Sequence, residues 1–166
     1  GCRRLGRVAE FLETSRHLVR RYPSSPWAAR VLFTRAQFHL SNGEREAALE
    51  AFEQLVRQHP DSEFAPEALW AIGWDAYRRR EYERAATTLL QIVARHPRAD
   101  VVAQAAYWAA RAEEKRGQRG RAALLYEKIV QRYRDAYYGQ LARQRAERLS
   151  AQGVAPVASR PARRQG

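Results

Sequence analysis

The sequence predicts an all-α chain of helix-turn-helix repeats with a period of 37 residues, and three series of recurrences predict it. Arg21-Tyr22-Pro23, Gln58-His59-Pro60 and Arg95-His96-Pro97 stand 37 positions apart, and Arg132-Tyr133-Arg134 continues the series without its proline. Ala48, Ala85 and Ala122 keep the same spacing, as do the larger Phe52, Leu89 and Tyr126 four places later. Three series in one phase mark a structural period, because composition alone does not hold separate residue types in register.

The elements follow in order. Residues 5–21 carry Leu5, Val8, Phe11, Leu12, Leu18 and Val19 and end at Tyr22-Pro23, as the second helix of an earlier repeat would. The first full repeat, 26–60, divides into helices over 26–40 and 44–58. The second, 63–97, divides into 66–79, rich in alanine and aromatics, and 81–95, where Ala85, Leu89, Ile92 and Val93 share one face. The third, 100–134, gives helices over 102–115 and 119–133. A capping helix is expected over 137–150 and a disordered tail or linker over 151–166, which is rich in Ala, Pro, Arg, Gly and Gln. Together 1–150 form one helical-repeat domain.

Pro23, Pro60 and Pro97 close the second helices, since proline lacks the N–H and the shape that a helix interior needs. Ser25-Pro26 and Asp61-Ser62 have the form of helix starts, and Asn42-Gly43 and Gly117 of left-handed breaks between paired helices. The first helix lacks its partner and the sequence holds no methionine, so the array is expected to be a piece of a longer solenoid.

Composition bounds the function. At 45% hydrophobic residues the chain can bury a core, and no apolar run is long enough for a transmembrane segment. The formal charge of +12 raises the question of an anionic partner, but 28 of the 30 basic residues are arginine. They are spread over every segment, as a GC-rich coding sequence would spread them. No nucleic acid partner is expected, because its footprint would gather on one stripe. Cys2 is the only cysteine, which excludes a disulfide framework and a cysteine metal cluster. The Gly1-Cys2 start has the form of a lipoprotein junction, yet helix-like sequence follows at once where a flexible tether would be expected. The four histidines, 17, 39, 59 and 96, have no metal-ligand spacing, and no cofactor is expected.

Alanine or glycine recurs where paired helices must approach: Ala36, Gly73 and Ala110 on first helices, Ala48, Ala85 and Ala122 on second helices. With Gly43 and Gly117 at the turn and Pro60 and Pro97 at the close, residues 26–133 resemble the tetratricopeptide pattern. The resemblance implies a right-handed superhelix. Departures are a period three longer than the usual 34, Arg80 at the turn glycine and Arg134 for the proline. The longer joints at 23–28 and 60–65 are similar to those of bacterial envelope members of this superfamily.

A narrower resemblance covers residues 103–146. Ala106-Tyr107-Trp108-Ala109-Ala110-Arg111-Ala112-Glu113, then Gly117, Ala122 and Tyr126, then Tyr137-Tyr138-Gly139-Gln140-Leu141-Ala142, are similar to the end of the helical domain of soluble lytic murein transglycosylases. That resemblance implies a non-catalytic scaffold that positions peptidoglycan for a lysozyme-like domain outside these residues, in the periplasm or cell envelope. No Glu-Ser motif of that catalytic domain occurs here, and Glu67, Asp75, Glu113 and Glu114 are expected to be solvated or paired with arginine, so no catalytic residue is assigned. The alternative is an interaction module of envelope assembly or cell division whose partners are envelope proteins. In either case the expected groove is lined by the first helices: Arg30, Phe33 and Gln37, then Trp70, Trp74, Tyr77 and Arg78, then Tyr107 and Arg111. Aromatics beside arginines suit sugar rings with acidic stems, or an extended peptide. Trp74 is the leading candidate, offset from the Leu69, Ile72 and Ala76 packing face.

Overall fold

Helix boundaries are set by the local signals named above. A computed structural model describes residues 2–158, with nothing assigned to the side chain of Cys2. Eight helices are found among these residues: α1 (Cys2–Arg21), α2 (Pro26–Ser41), α3 (Arg45–Gln58), α4 (Ala65–Arg78), α5 (Tyr82–Arg95), α6 (Val102–Lys115), α7 (Arg119–Arg132) and α8 (Tyr137–Ala151). No strand occurs among the described residues. Within this all-α fold of tetratricopeptide-like repeats, each repeat uses the same two joints.

The joint inside a repeat is a left-handed turn. Gly43 and Gly117 adopt φ of 75° and 80°, and Arg80, at the equivalent place, adopts 65°. The hydrogen bonds recur with them: Glu44 N–H donates to His39 O, Glu81 N–H to Ala76 O and Gln118 N–H to Glu113 O, at 2.8–2.9 Å. This is the Schellman pairing that satisfies a helix's last carbonyls. Gly153, at φ 78°, ends α8 in the same way.

The joint between repeats is a short turn that opens the next helix. Ser25 accepts a hydrogen bond from the Trp27 N–H, and Ser62, 37 residues later, accepts one from the Phe64 N–H. Ala99 and Ala136 stand at the same place without a side-chain acceptor, and the backbone bonds Ala99 N–H to His96 O and Ala136 N–H to Tyr133 O keep the turn. Arg134 therefore replaces proline without loss of the joint.

The chain divides into two compact units, Gly1–Ile72 and Gly73–Gly166, with the boundary inside α4. In the first unit α2 packs on α3 through Ala36 and Ala48, both fully buried, around a core with Leu32, Phe52, Leu55, Ala65 and Ala68. α1 adds Val19 to this core, and Phe11 meets Phe38 edge-on.

In the second unit Gly73 allows a close approach of α4 and α5: a Cβ there would lie 2.6 Å from Leu89 Cδ2. Ala76, Ala85, Ala86 and Ala112 form a small-residue cluster, and Ala110, Ala122, Tyr126, Ile129, Ala142 and Leu149 form the main core of α6, α7 and α8. Residues 152–158 depart from the expected tail at 151–166. Val154 joins the core, and the Val157 N–H donates to Gly120 O over a surface that only a glycine leaves open. Residues 159–166 lie outside the described residues. Among the described residues no helix is long and apolar enough to cross a membrane.

Candidate functional site

The nine groove residues divide between the two units. In the first, Arg30 and Gln37 are exposed on α2 and Trp70 is half-buried on α4. Phe33 points inward, stacked on Phe64 at 5.0 Å and edge-on to Phe52, so it is a packing residue. In the second unit the structure brings Trp74, Tyr77, Tyr107 and Arg111 together, and leaves Arg78 exposed.

The centre of that cluster is Trp108, which the expected groove did not include. Trp74 and Tyr77, three residues apart on α4, lie parallel within 3° at 5.6 Å. The Trp108 ring meets both edge-on, at 4.9 and 5.2 Å. Tyr107 continues the series: its ring lies 5.5 Å from Trp108, 5.9 Å from Tyr126 and 5.6 Å from Tyr138. Tyr107 itself is buried and cannot face a ligand, whereas Trp74, Tyr77 and Trp108 stay half-exposed. Helical spacing could have nominated Trp108, but it stands next to Tyr107, and one of two neighbours must face inward.

Polar groups ring the inner end of the cluster. Glu114 accepts hydrogen bonds from the Tyr126 hydroxyl at 2.7 Å and from Arg145, whose Nη2 lies 2.9 and 3.0 Å from the two carboxylate oxygens. Burial, reinforced by that hydrogen bond, pushes the Tyr126 hydroxyl far above its ordinary range. Arg111 Nη1 donates to the Tyr107 hydroxyl at 3.4 Å, while its Nε is buried with no hydrogen-bond acceptor and only the Glu114 carboxylate at 3.8 Å. Burial pulls the Arg111 guanidinium down, but the hydroxyls of Tyr107, Tyr77 and Tyr126 outweigh it and leave the group above its ordinary value. Burial likewise raises Tyr77. The arrangement can offer aromatic faces and a fixed cation. It contains no nucleophile beside a base.

The carboxylates expected on polar faces are more enclosed than expected. Asp75 and Glu113 are buried and Glu114 nearly so, each with an arginine partner: Arg79 at 3.1 Å, Arg116 at 3.2 Å and Arg145 at 2.9 Å. Glu67 is exposed.

The comparisons with known proteins give no support to the lytic transglycosylase assignment. No curated protein matches the chain. A family model described as YfiO, outer membrane lipoprotein, matches residues 28–152, from within α2 to just past α8. By that match, which spans well over half of the sequence, the chain belongs to the YfiO outer membrane lipoprotein family.

Proposed function

We propose that the chain is a protein-interaction module of the cell envelope, binding envelope-assembly or cell-division partners through its first helices. The carrying observation is the half-exposed Trp74–Tyr77–Trp108 cluster beside the partly exposed guanidinium of Arg111. Rigid aromatics supply contact area at small entropic cost, and a pre-placed guanidinium selects a carboxylate. The ligand that fits is an extended peptide with an acidic group near an apolar side chain. The family supports envelope association. Its name also implies a lipid anchor, and Cys2 is the only thiol in the sequence that could carry one. Incorporation of labelled palmitate in the wild type and not in Cys2→Ser tests that point.

A second reading, the peptidoglycan scaffold, has one observation in its favour. The motif pieces that resemble transglycosylases, Tyr107-Trp108, Tyr126 and Tyr138, converge on one cluster. One pair of assays separates the two. Affinity capture from solubilised envelope with wild type, Trp74→Ala and Arg111→Gln is expected to lose a specific protein partner in both variants at unchanged helicity. Sedimentation with purified peptidoglycan is expected to show no retention. Retention that Trp74→Ala removes, with no protein lost, would replace the first reading by the second.

A further inference from the structure

The three repeats are controls for one another, and the second departs from the other two at positions that gather in one place. Where Gly43 and Gly117 make the left-handed turn, it carries Arg80 at φ 65°. Where the first repeat has Glu50-Ala51 and the third Leu124-Leu125, it carries Thr87-Thr88. The turn and the helix that follows it form in the other repeats without these residues. A strained side chain kept where glycine serves twice calls for a reason outside the fold.

All three side chains line a cleft of about 670 Å³ in the second unit, within the ~300–1,000 Å³ of small-molecule sites. Arg116, just past the end of α6, lines it too. Its guanidinium is fixed by the buried Glu113 carboxylate at 3.2 Å and reaches Glu83 only at 3.6 Å. Arg84 meets Glu81 at 3.7 Å, and Arg121 meets Glu113 at 3.7 Å. Among the described residues around the cleft, four guanidiniums thus share three carboxylates, and the exposed Arg80 is the one without. The pairs of Glu81 and Glu83 are long and solvent-exposed, so an incoming anion displaces them at little cost.

The threonines keep the cleft open. The Thr87 hydroxyl is folded back onto its own helix, donating to Glu83 O at 2.9 Å. A glutamate there, as at position 50, would repel an anion, and leucines, as at 124 and 125, would fill the space. We infer that this cleft binds a phosphate monoester. One guanidinium satisfies a carboxylate through two parallel hydrogen bonds. A phosphate monoester brings three acceptor oxygens and about two charges, enough to engage Arg80, Arg84 and Arg116 together. The remaining volume takes the small polar group that carries the phosphate, whether a soluble ester or a lipid headgroup.

The test titrates the full chain with glycerol 3-phosphate by calorimetry. In parallel it sediments the chain with phosphatidylcholine vesicles that contain or lack phosphatidic acid, which presents the same group on a membrane. Saturable binding to at least one is expected. Arg80→Gly and Thr87→Glu are each expected to weaken it by about tenfold or more. Arg98→Gln removes one charge from an exposed place outside the cleft and is expected to leave binding nearly unchanged. Arg80→Gly relieves strain and is expected to melt no lower than the wild type, so its lost binding is not lost folding. Thr87 is exposed, and circular dichroism checks that its glutamate variant keeps full helicity. Binding of glycerol 3-phosphate assigns the phosphate to a soluble ester, and binding of phosphatidic acid vesicles alone to a headgroup. Saturable binding to neither overturns the inference. So does an equal effect of all three variants, which is the diffuse attraction of a chain with net charge +12. A glutamate-rich peptide that binds more tightly than either, with the same losses, would give the cleft to carboxylates and overturn it as well.

Discussion

Arg80 shows the repeat imposing a conformation on a residue that resists it. Its neighbours in the series are glycines, and a side chain at φ 65° brings Cβ close to the following carbonyl, at a cost of about 1–2 kcal/mol. Glycine in its place removes that strain but adds freedom to the unfolded chain, which takes back about 0.4–1 kcal/mol. Arg80→Gly is therefore expected to stabilise the fold by about 0.5–1 kcal/mol, read as a rise of about 2–4 °C or less in a thermal melt. The opposite holds at Gly139, where a Cβ would fall 1.7 Å from Tyr133 O, a backbone atom that cannot swing away. Gly139→Ala is expected to cost about 3 kcal/mol. The cost should appear first as faster amide exchange in α8. Protection in α8 equal to that of the wild type would refute this account of the Tyr-Tyr-Gly motif.

At the scale of the elements, α6, α7 and α8 are tied by one largely enclosed carboxylate. Glu114 on α6 takes the Tyr126 hydroxyl from α7 and the Arg145 guanidinium from α8. Tyr126 stands where earlier repeats have Phe52 and Leu89, so its hydroxyl is an addition that needs an acceptor in a dry core. Folded Tyr126 keeps its proton well above the value at which an unfolded tyrosine loses it, about pH 10. Above that value the unfolded chain binds fewer protons, so stability falls as pH rises, by about 1.4 kcal/mol per pH unit for one such group. Below it the contribution is complete. Urea midpoints at about pH 9 and pH 11 are expected to differ less in Tyr126→Phe than in the wild type, although the variant starts about 1 kcal/mol lower from the lost hydrogen bond. An equal pH dependence in both would show that Tyr126 is not the group responsible.

The sequence made part of this legible. Proline at the joints, alanine at the approaches and the larger residue four places later are strictly local, and they set the helix ends to within a few residues. Burial among the aromatics was not legible. Phe33, Tyr107 and Trp108 have similar apolar character, and which of them turns inward depends on neighbours 19 to 31 residues away, such as Phe52, Phe64, Tyr126 and Tyr138. Glu113 and Asp75 read as surface residues for the same reason: their burial comes from helix packing. The segment 152–158 has no periodicity to read, and only the opening at Gly120 gives Val157 its place.

For the whole molecule, the repeat architecture makes stability a sum of neighbour contacts, so removing one end need not unfold the other. The core residues that close the second unit run from Ala76 to Val154, and none comes from α1, α2 or α3. Helix α4 crosses the boundary, so a fragment must keep it whole. Residues 63–166 do so, starting at the joint before α4. In that fragment Ala65, Ala68 and Ile72 lose the core they share with α2 and α3, which lowers stability without touching the Glu114 network or the cluster around Trp108. The fragment is expected to keep the helicity per residue of α4 to α8 and to melt cooperatively at a lower temperature than the full chain. It should retain whatever partner Trp74→Ala discards. A non-cooperative melt would mean that the second unit draws its stability from residues 1–62, and the array would then have to be treated as one cooperative body.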